Sequence, residues 1–357
     1  VPLSRLTPAQ AIGIALAAEA RGNGEIDLSA RANLQLRGVT PERHGALLAD
    51  LAALGLLDRD VATESRRNLV ITPLWSDMVE TGALAGAILA GLADAPPLPG
   101  KFGAVLDHGP APVLTDVPGD VRIERDVAGR LLLRADGAPT GCAVTPDEIR
   151  LRVAALARWF VEAGGVNDGR GRMKALLTSG IPLPVPLVGD SRPAPAAPPP
   201  GPGVHARGAI VAFAFGRLRA EMLHAIATRG RALRLTPWRA LLIEGGALPD
   251  LPGLITDASD PRLRVFACTG APACPQGAAP VRDLALALAP RVPADRVLHV
   301  SACAKGCAHP APADVTLTAR ADGFALIRNG VAGDTPLRTA LAPETLIDNL
   351  TLPFERP

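Results

Sequence analysis

Five cysteines are unevenly spread along the chain: Cys142 stands alone, whereas Cys268 and Cys274 form a C-x5-C pair and Cys303 and Cys307 a C-x3-C pair. Two tight thiol pairs in so large a chain are poor material for a disulfide framework. They are good material for a metal centre in a reducing compartment. Four thiolates suit a [4Fe–4S] cluster, in which each iron takes one Cys. Structural zinc is the alternative, although zinc prefers C-x2-C to C-x4-C knuckles. Gly270 and Gly306, beside or within these pairs, let backbone approach a bulky group. Cys142 has no partner at useful spacing and is expected to be buried and inert. Lysine is the other scarce type: Lys101, Lys174 and Lys305 stand against 34 arginines. Where Arg serves wherever only charge is needed, a surviving lysine marks a position to examine. Lys305 falls between two of the cysteines, and His309 lies two residues beyond the last.

The elements that must hold these residues fall into two halves. Ser191 to Val204 (SRPAPAAPPPGPGV) is too rich in proline for helix or ladder and reads as an extended spacer. Before it, Thr7 opens a helix with Pro8 in its first turn and Gly22 near its end. Residues 33–37 alternate as a strand, a second helix starts at Thr40, and a strand starts at Asn68. Short strands follow over 101–135, and Thr145 opens a helix with Glu148 at capping-box spacing. After the spacer the order repeats: strand 208–215, helix 217–230, strands near 232–237 and 239–246, then the cysteine segment. A helix over 280–289 and strands from Val297, Val315 and Phe324 close the chain. Such repetition predicts an internal pseudo-twofold. At 357 residues and 48% hydrophobic content the chain is expected to fold into two or three units. A formal charge of +2 excludes a general nucleic-acid binder. The longest apolar run, Ala83 to Ala93, is about half a membrane span. No leader segment is visible, and a cytoplasmic location is expected.

C-x5-C followed by C-x3-C, in a chain built as two similar halves, resembles the nitrite/sulfite reductase family. The string His299-Val-Ser-Ala-Cys303-Ala-Lys305-Gly-Cys307-Ala-His309-Pro310 points to the branch of that family that serves aerobic cobalamin biosynthesis. The resemblance implies an α+β fold: two ferredoxin-like half-domains (1–75 and 205–262) and two reductase-type α/β domains in a pseudo-twofold arrangement. The α/β domains would be 76–190 and the cluster-binding 263–357, with 191–204 as linker. It also implies that Asp27 to Gly38 contains a strand gripping tetrapyrrole carboxylates through Arg31, Asn33, Gln35 and Arg37, and that Arg67-Asn68 is a second grip. A guanidinium fork holds a carboxylate with two parallel hydrogen bonds. Arg234 repeats the Arg-x-Thr pattern in the second half and is a further candidate.

The family's reductases carry Lys-x-Lys where this chain has Lys101-Phe-Gly103. Losing one ammonium argues against sulfite reduction, which needs proton donors at the reacting oxygens. The branch implied is oxygen-dependent hydroxylation of precorrin-3A at C20 with lactone formation. Its cofactors would be a [4Fe–4S] cluster on the four late cysteines and a mononuclear non-haem iron whose ligands the sequence does not show. Lys305 is then a partner for a substrate carboxylate, a proton donor, or a charge compensating the cluster. His309 is an iron ligand, an acid/base group or a donor to backbone. Lys101 completes the catalytic set, His108 is a weaker candidate, and His299 is expected to be structural. The stretch Gly169-Arg-Gly171-Arg-Met-Lys174 breaks off before completing a dinucleotide motif. Electrons from NAD(P)H are therefore expected through a partner protein. The rival readings are a sirohaem-dependent sulfite or nitrite reductase and a non-enzymatic electron-transfer or tetrapyrrole-binding module.

Overall fold

Thr7 opens the first helix as its sequence demands. Its hydroxyl accepts the Gln10 amide at 3.2 Å while the Gln10 side chain accepts the Thr7 amide at 3.0 Å, satisfying two donors that have no partner inside the helix. The computed structural model describes residues 1–58, 60–349 and 354; most of the tail of the expected 263–357 unit, from residue 350 onward, lies outside them. The first ferredoxin-like half contains β1 (Arg5–Leu6), α1 (Pro8–Arg21), β2 (Glu25–Leu28), β3 (Leu34–Leu36), α2 (Pro41–Ala53) and α3 (Val61–Arg66). The first α/β unit follows with β4 (Leu69–Ile71), α4 (Met78–Ala93), β5 (Ala104–Asp107), β6 (Val121–Arg125), β7 (Leu131–Ala135) and β8 (Cys142–Ala143). Helices α5 (Ile149–Glu162), α6 (Met173–Thr178) and α7 (Val185–Val188) complete it.

The second ferredoxin-like half has β9 (Gly203–His205), β10 (Gly208–Ala212), β11 (Arg217–Arg219), α8 (Ala220–Ala227), β12 (Leu233–Leu235) and β13 (Ala240–Glu244). The last unit has β14 (Val265–Ala267), α9 (Arg282–Leu288), β15 (Leu298–Ser301), β16 (Ala313–Arg320), β17 (Gly323–Gly330), β18 (Arg338–Leu341) and α10 (Pro343–Asn349). The pseudo-twofold is plain in the sheets. The order β4-β5-β6-β7-β8 pairs parallel, parallel, antiparallel, antiparallel, and β14-β15-β16-β17-β18 repeats it.

The two ferredoxin-like halves exchange strands. β1 pairs with β12 of the second half, Leu6 opposite Leu233, and β11 pairs with β2 of the first, Leu218 opposite Ile26. All four side chains are buried in one core shared by both halves, each contributing about 2 kcal/mol of apolar burial. Residues 217–219, expected to begin a helix, are thus a strand: their backbone groups are claimed by β2, and the helix starts only at Ala220. The proline-rich segment is extended but not free. Ala194 and Ala197 donate to the carbonyls of Arg125 and Pro112, and its end becomes β9 on the edge of the second sheet.

Candidate active site

Parallel pairing of β14 with β15 sets Ala267 opposite Val300, so the two cysteine loops leave the sheet side by side from its carboxyl edge. Cys268 follows β14 directly, and its Sγ already accepts the Ala302 amide at 3.3 Å. The loops are tied together, Ala278 N donating to Ala302 O at 2.8 Å. Gly277 lies so close to Ala271 that a Cβ would stand 2.8 Å from its nitrogen. None of the cysteines is in a disulfide, and Cys307 is exposed. Among the described residues no three His, Cys, Asp or Glu side chains gather as a single metal ion requires. A four-iron cube binds its thiolates to four different irons and holds them further apart than one ion does. Four unpaired thiols on two clasped loops, one sulfur already taking a backbone N–H, fit a cluster better than tetrahedral zinc. Among the described residues no His, His and carboxylate group fits the mononuclear iron implied by the resemblance, and no residue is assigned to it.

The carboxylate-gripping candidates of the first half come together. On β3 the period of two puts Asn33, Gln35 and Arg37 on one face, a polar strip about 13 Å long. Asn33, Gln35, Arg67 and Asn68 line a cavity of about 690 Å³ with an apolar floor that includes Ile14, Leu51 and Leu89. Arg31, Asn33, Arg67, Asn68 and Lys101 meet again in a narrow cleft beside it. Asn68 is the fastener: it accepts Arg31 Nη1 at 3.3 Å and donates to the carbonyls of Gly100 and Phe102. Arg67 is steadied by Asp58 at 3.1 Å. At its other end the strip reaches the cysteine loops. Arg37 pairs with Asp27 at 2.7 Å and touches Thr269 Oγ1 at 3.5 Å, while Arg282 at the start of α9 takes the second oxygen of Asp27 at 2.8 Å.

Gly103, where the reductases have a second lysine, is wedged against Asn68: a Cβ would stand 2.5 Å from the Asn68 carbonyl oxygen. Its amide donates to Asp120 at 3.0 Å. Asp120 is wholly buried and also accepts Arg172 Nε at 3.0 Å and Met173 N at 2.8 Å. Burial pushes the Asp120 carboxyl up, against the pull of these bonds. Arg172, held further by Gly119 O at 2.8 Å, is a site residue that sequence reasoning missed. Burial, then the charge of Arg172, hold the Arg31 guanidinium below its usual range. Among the described residues neither Arg31 nor Lys101 enters an ion pair, so the cleft presents uncompensated positive charge to an anion.

The remaining candidates lie as follows. Lys305 is exposed and His309 half-buried, its ring 4.4 Å from that of Phe266. Arg234 is turned away from the cysteine loops: it pairs with Glu244 at 2.6 Å, donates to the carbonyls of Pro73 and Trp75, and stacks 3.4 Å over the Trp75 ring. By strand register it matches Asp27 of the first half, not Arg31. His108 is buried and shares a 3.0 Å hydrogen bond with Thr81. Cys142 is half-buried and reaches the Pro186 carbonyl.

His299 is fully buried with neither ring nitrogen partnered, and burial followed by the nearby His309 lowers its pKa from 6.5 to about 4. Between those values the unfolded chain holds the extra proton, so stability falls as pH drops through that window, by about 3 kcal/mol at its acid end. Acidification from pH 7 to 5 is expected to lower Tm more in the wild type than in His299→Leu; equal losses would dismiss the effect.

Residues 1–54 match the nitrite/sulfite reductase ferredoxin-like half domain. Over an alignment 374 positions long, covering 93% of this chain and 78% of the relative, the sequence is 27% identical to a precorrin-3B synthase of Sinorhizobium sp. The structure of the Mycobacterium tuberculosis NirA protein matches with a TM-score of 0.65 at 19% identity, covering 98% of this chain and 78% of that one. The chain thus resembles precorrin-3B synthase in sequence and has the α+β fold of two ferredoxin-like halves and two α/β units.

Proposed function

We propose that this chain carries out the precorrin-3B synthase reaction: oxygen-dependent hydroxylation of precorrin-3A at C20, with the ring A acetate closing to a lactone. One atom of dioxygen enters the product and the other leaves as water, which consumes two electrons and two protons. The observation that carries this reading is Gly103 pressed against Asn68. No side chain fits there on this backbone, so the second ammonium of the reductases is excluded while Lys101 and Arg31 keep a cleft for larger carboxylates. A cluster on Cys268, Cys274, Cys303 and Cys307 would supply electrons one at a time.

The chain's own residues bind and orient. Arg31, Arg67 and Arg172 take acetate and propionate groups by charge-assisted hydrogen bonds. Asn33, Gln35 and Arg37 extend the contact along β3 toward the cysteine loops. Lys101 beside the cleft, and Lys305 and His309 beyond the cysteines, are the groups available to hold or deliver protons. Arg234, spoken for within its own half, is left with no part in this reading. Glycines 169 and 171 do not complete a dinucleotide motif, and Gly171 is required for a local reason, since a Cβ there would strike the Gly165 carbonyl. NAD(P)H is accordingly expected to act through a separate electron-donor protein, in the cytoplasm. No helix among the described residues is long and apolar enough to cross a membrane.

Anaerobic incubation of the protein with precorrin-3A and reductant, then admission of oxygen, tests the reading. A product with one added oxygen supports it. Sirohaem bands in the purified protein would replace it with a reductase, and an intact cluster with no oxygenated product would leave a binding or electron-transfer module. Arg31→Ala is expected to weaken substrate binding about ten-fold with cluster content unchanged. Unaltered affinity would sink the carboxylate grip.

A further inference from the structure

Arg239 is a half-buried cation for which the described chain provides no counter-charge. It lies in the turn between β12 and β13 with a left-handed backbone, φ +60°. Its guanidinium sits 4.2 Å over the Phe266 ring and donates to Val265 O at 3.1 Å and Leu263 O at 3.3 Å. Carbonyls satisfy its donors but not its charge. Burial alone draws its pKa down to about 10.

The turn does not need this residue. In the first half the matching position is Ala32, with φ +52° and the same closure, Ser29 N to Asn33 O, that Thr236 N makes to Ala240 O in the second. One copy of the turn is built with a methyl group and the other with a charge whose transfer out of water costs several kcal/mol when unpaired. Such a charge is retained where it meets an anion.

Its neighbours indicate which anion. Phe266 lies on β14 two residues before Cys268, which follows the strand directly. The His309 ring also packs on Phe266, two residues beyond Cys307. His299 packs edge-on to His309 at 5.8 Å, and neither of its ring nitrogens has a partner among the described residues. The stem of Arg239 packs beside Gly216 of its own half, but its guanidinium faces Phe266 and the carbonyls of Leu263 and Val265, which lead into the first cysteine loop. Four thiolates with their irons and sulfides make an anionic group, more so when reduced.

We propose that Arg239 is the counter-charge of the iron–sulfur cluster, a positioning residue that acts through Phe266 and the β14 edge and raises the cluster's reduction potential. The inference rests on the cluster reading above. A cation nearby favours the state with one more electron, and its loss shifts the midpoint to more negative potential.

The test is an EPR-monitored redox titration of anaerobically isolated protein, with iron and sulfide per chain measured alongside. Arg239→Gln is expected to keep the cluster and show a more negative midpoint, while Arg239→Lys, which keeps the charge but not both carbonyl bonds, stays near the wild type. Equal midpoints for wild type and Arg239→Gln overturn the proposal. If Arg239→Gln fails to retain a cluster, a Lys variant holding one at the wild-type midpoint supports it, and a Lys variant that also loses its cluster overturns it. Wild-type protein without a [4Fe–4S] signal would instead refute the cluster reading itself.

Discussion

Cys307→Ser is expected to yield a folded protein that retains neither the proposed cluster nor the proposed oxygenation of precorrin-3A. Cys307 is exposed and contributes little packing, so its replacement separates ligation from folding. A serine hydroxyl is a far weaker ligand for iron than a thiolate, and a cube missing one protein ligand is open to solvent and oxidation. The expected readout is near-complete loss of iron, acid-labile sulfide and the EPR signal of the reduced protein, with circular dichroism unchanged. Cys142→Ser is the control: it lies on β8 in the other α/β unit and should retain full iron. A Cys307→Ser protein that kept four irons would remove this residue from the ligand set.

The second large effect is expected at Asp120. One buried carboxylate fastens three things: the Gly103 amide, the Met173 amide and the Arg172 guanidinium. Asp120→Ala strands all three, and breaking a buried charge pair in this way costs about 3 kcal/mol or more. It also frees Arg172 and the Lys101–Gly103 loop, so binding of a carboxylate-fringed tetrapyrrole is expected to weaken about ten-fold or more. Asp120→Asn separates the two consequences. Its amide oxygen can still accept on the side shared by Met173 N and Arg172 Nε or on the Gly103 side, but without the charge it holds Arg172 less firmly, so stability should recover more than affinity. Thermal unfolding and fluorescence titration with the octacarboxylic uroporphyrin measure the two. Wild-type affinity in Asp120→Ala would show that Arg172 and the Gly103 loop take no part in binding.

The cysteine loops were legible because thiol spacing is a local signal and the chemistry of four thiolates is narrow. Helix α1 was legible too, since Thr7, Pro8 and Gly22 mark its ends by short-range hydrogen bonding. Strands β1 and β11 were not: two and three residues are too few for a period, and Arg217–Arg219 leads straight into good helix formers. What makes them strands is pairing with a distant β12 and β2, a tertiary effect invisible in a window. Helix α4 showed only as an apolar run because it is buried against both its sheet and α5. Asp120 and Arg172 carry no motif; their meaning comes from the chain folding back to bring together two residues 52 positions apart. The glycines before Arg172 looked like a broken nucleotide loop, but Gly171 is required by the nearby Gly165 carbonyl and Gly169 by a left-handed backbone, φ +69°.

The strand exchange between the ferredoxin-like halves has a consequence for how labour is divided within the chain. Register makes Thr72 and Gly109, at the carboxyl edge of the first α/β sheet, the counterparts of Cys268 and Cys303. One copy of the pattern thus holds thiols at its carboxyl edge, and the other holds the cations Lys101 and Arg172 at its opposite, amino edge, where Arg31 of the ferredoxin-like half reaches the Lys101 carbonyl. Neither copy alone contains both sets. Swapped strands lock the copies into one relative orientation, so the chain behaves as a dimer whose subunits can no longer part and were therefore free to specialise.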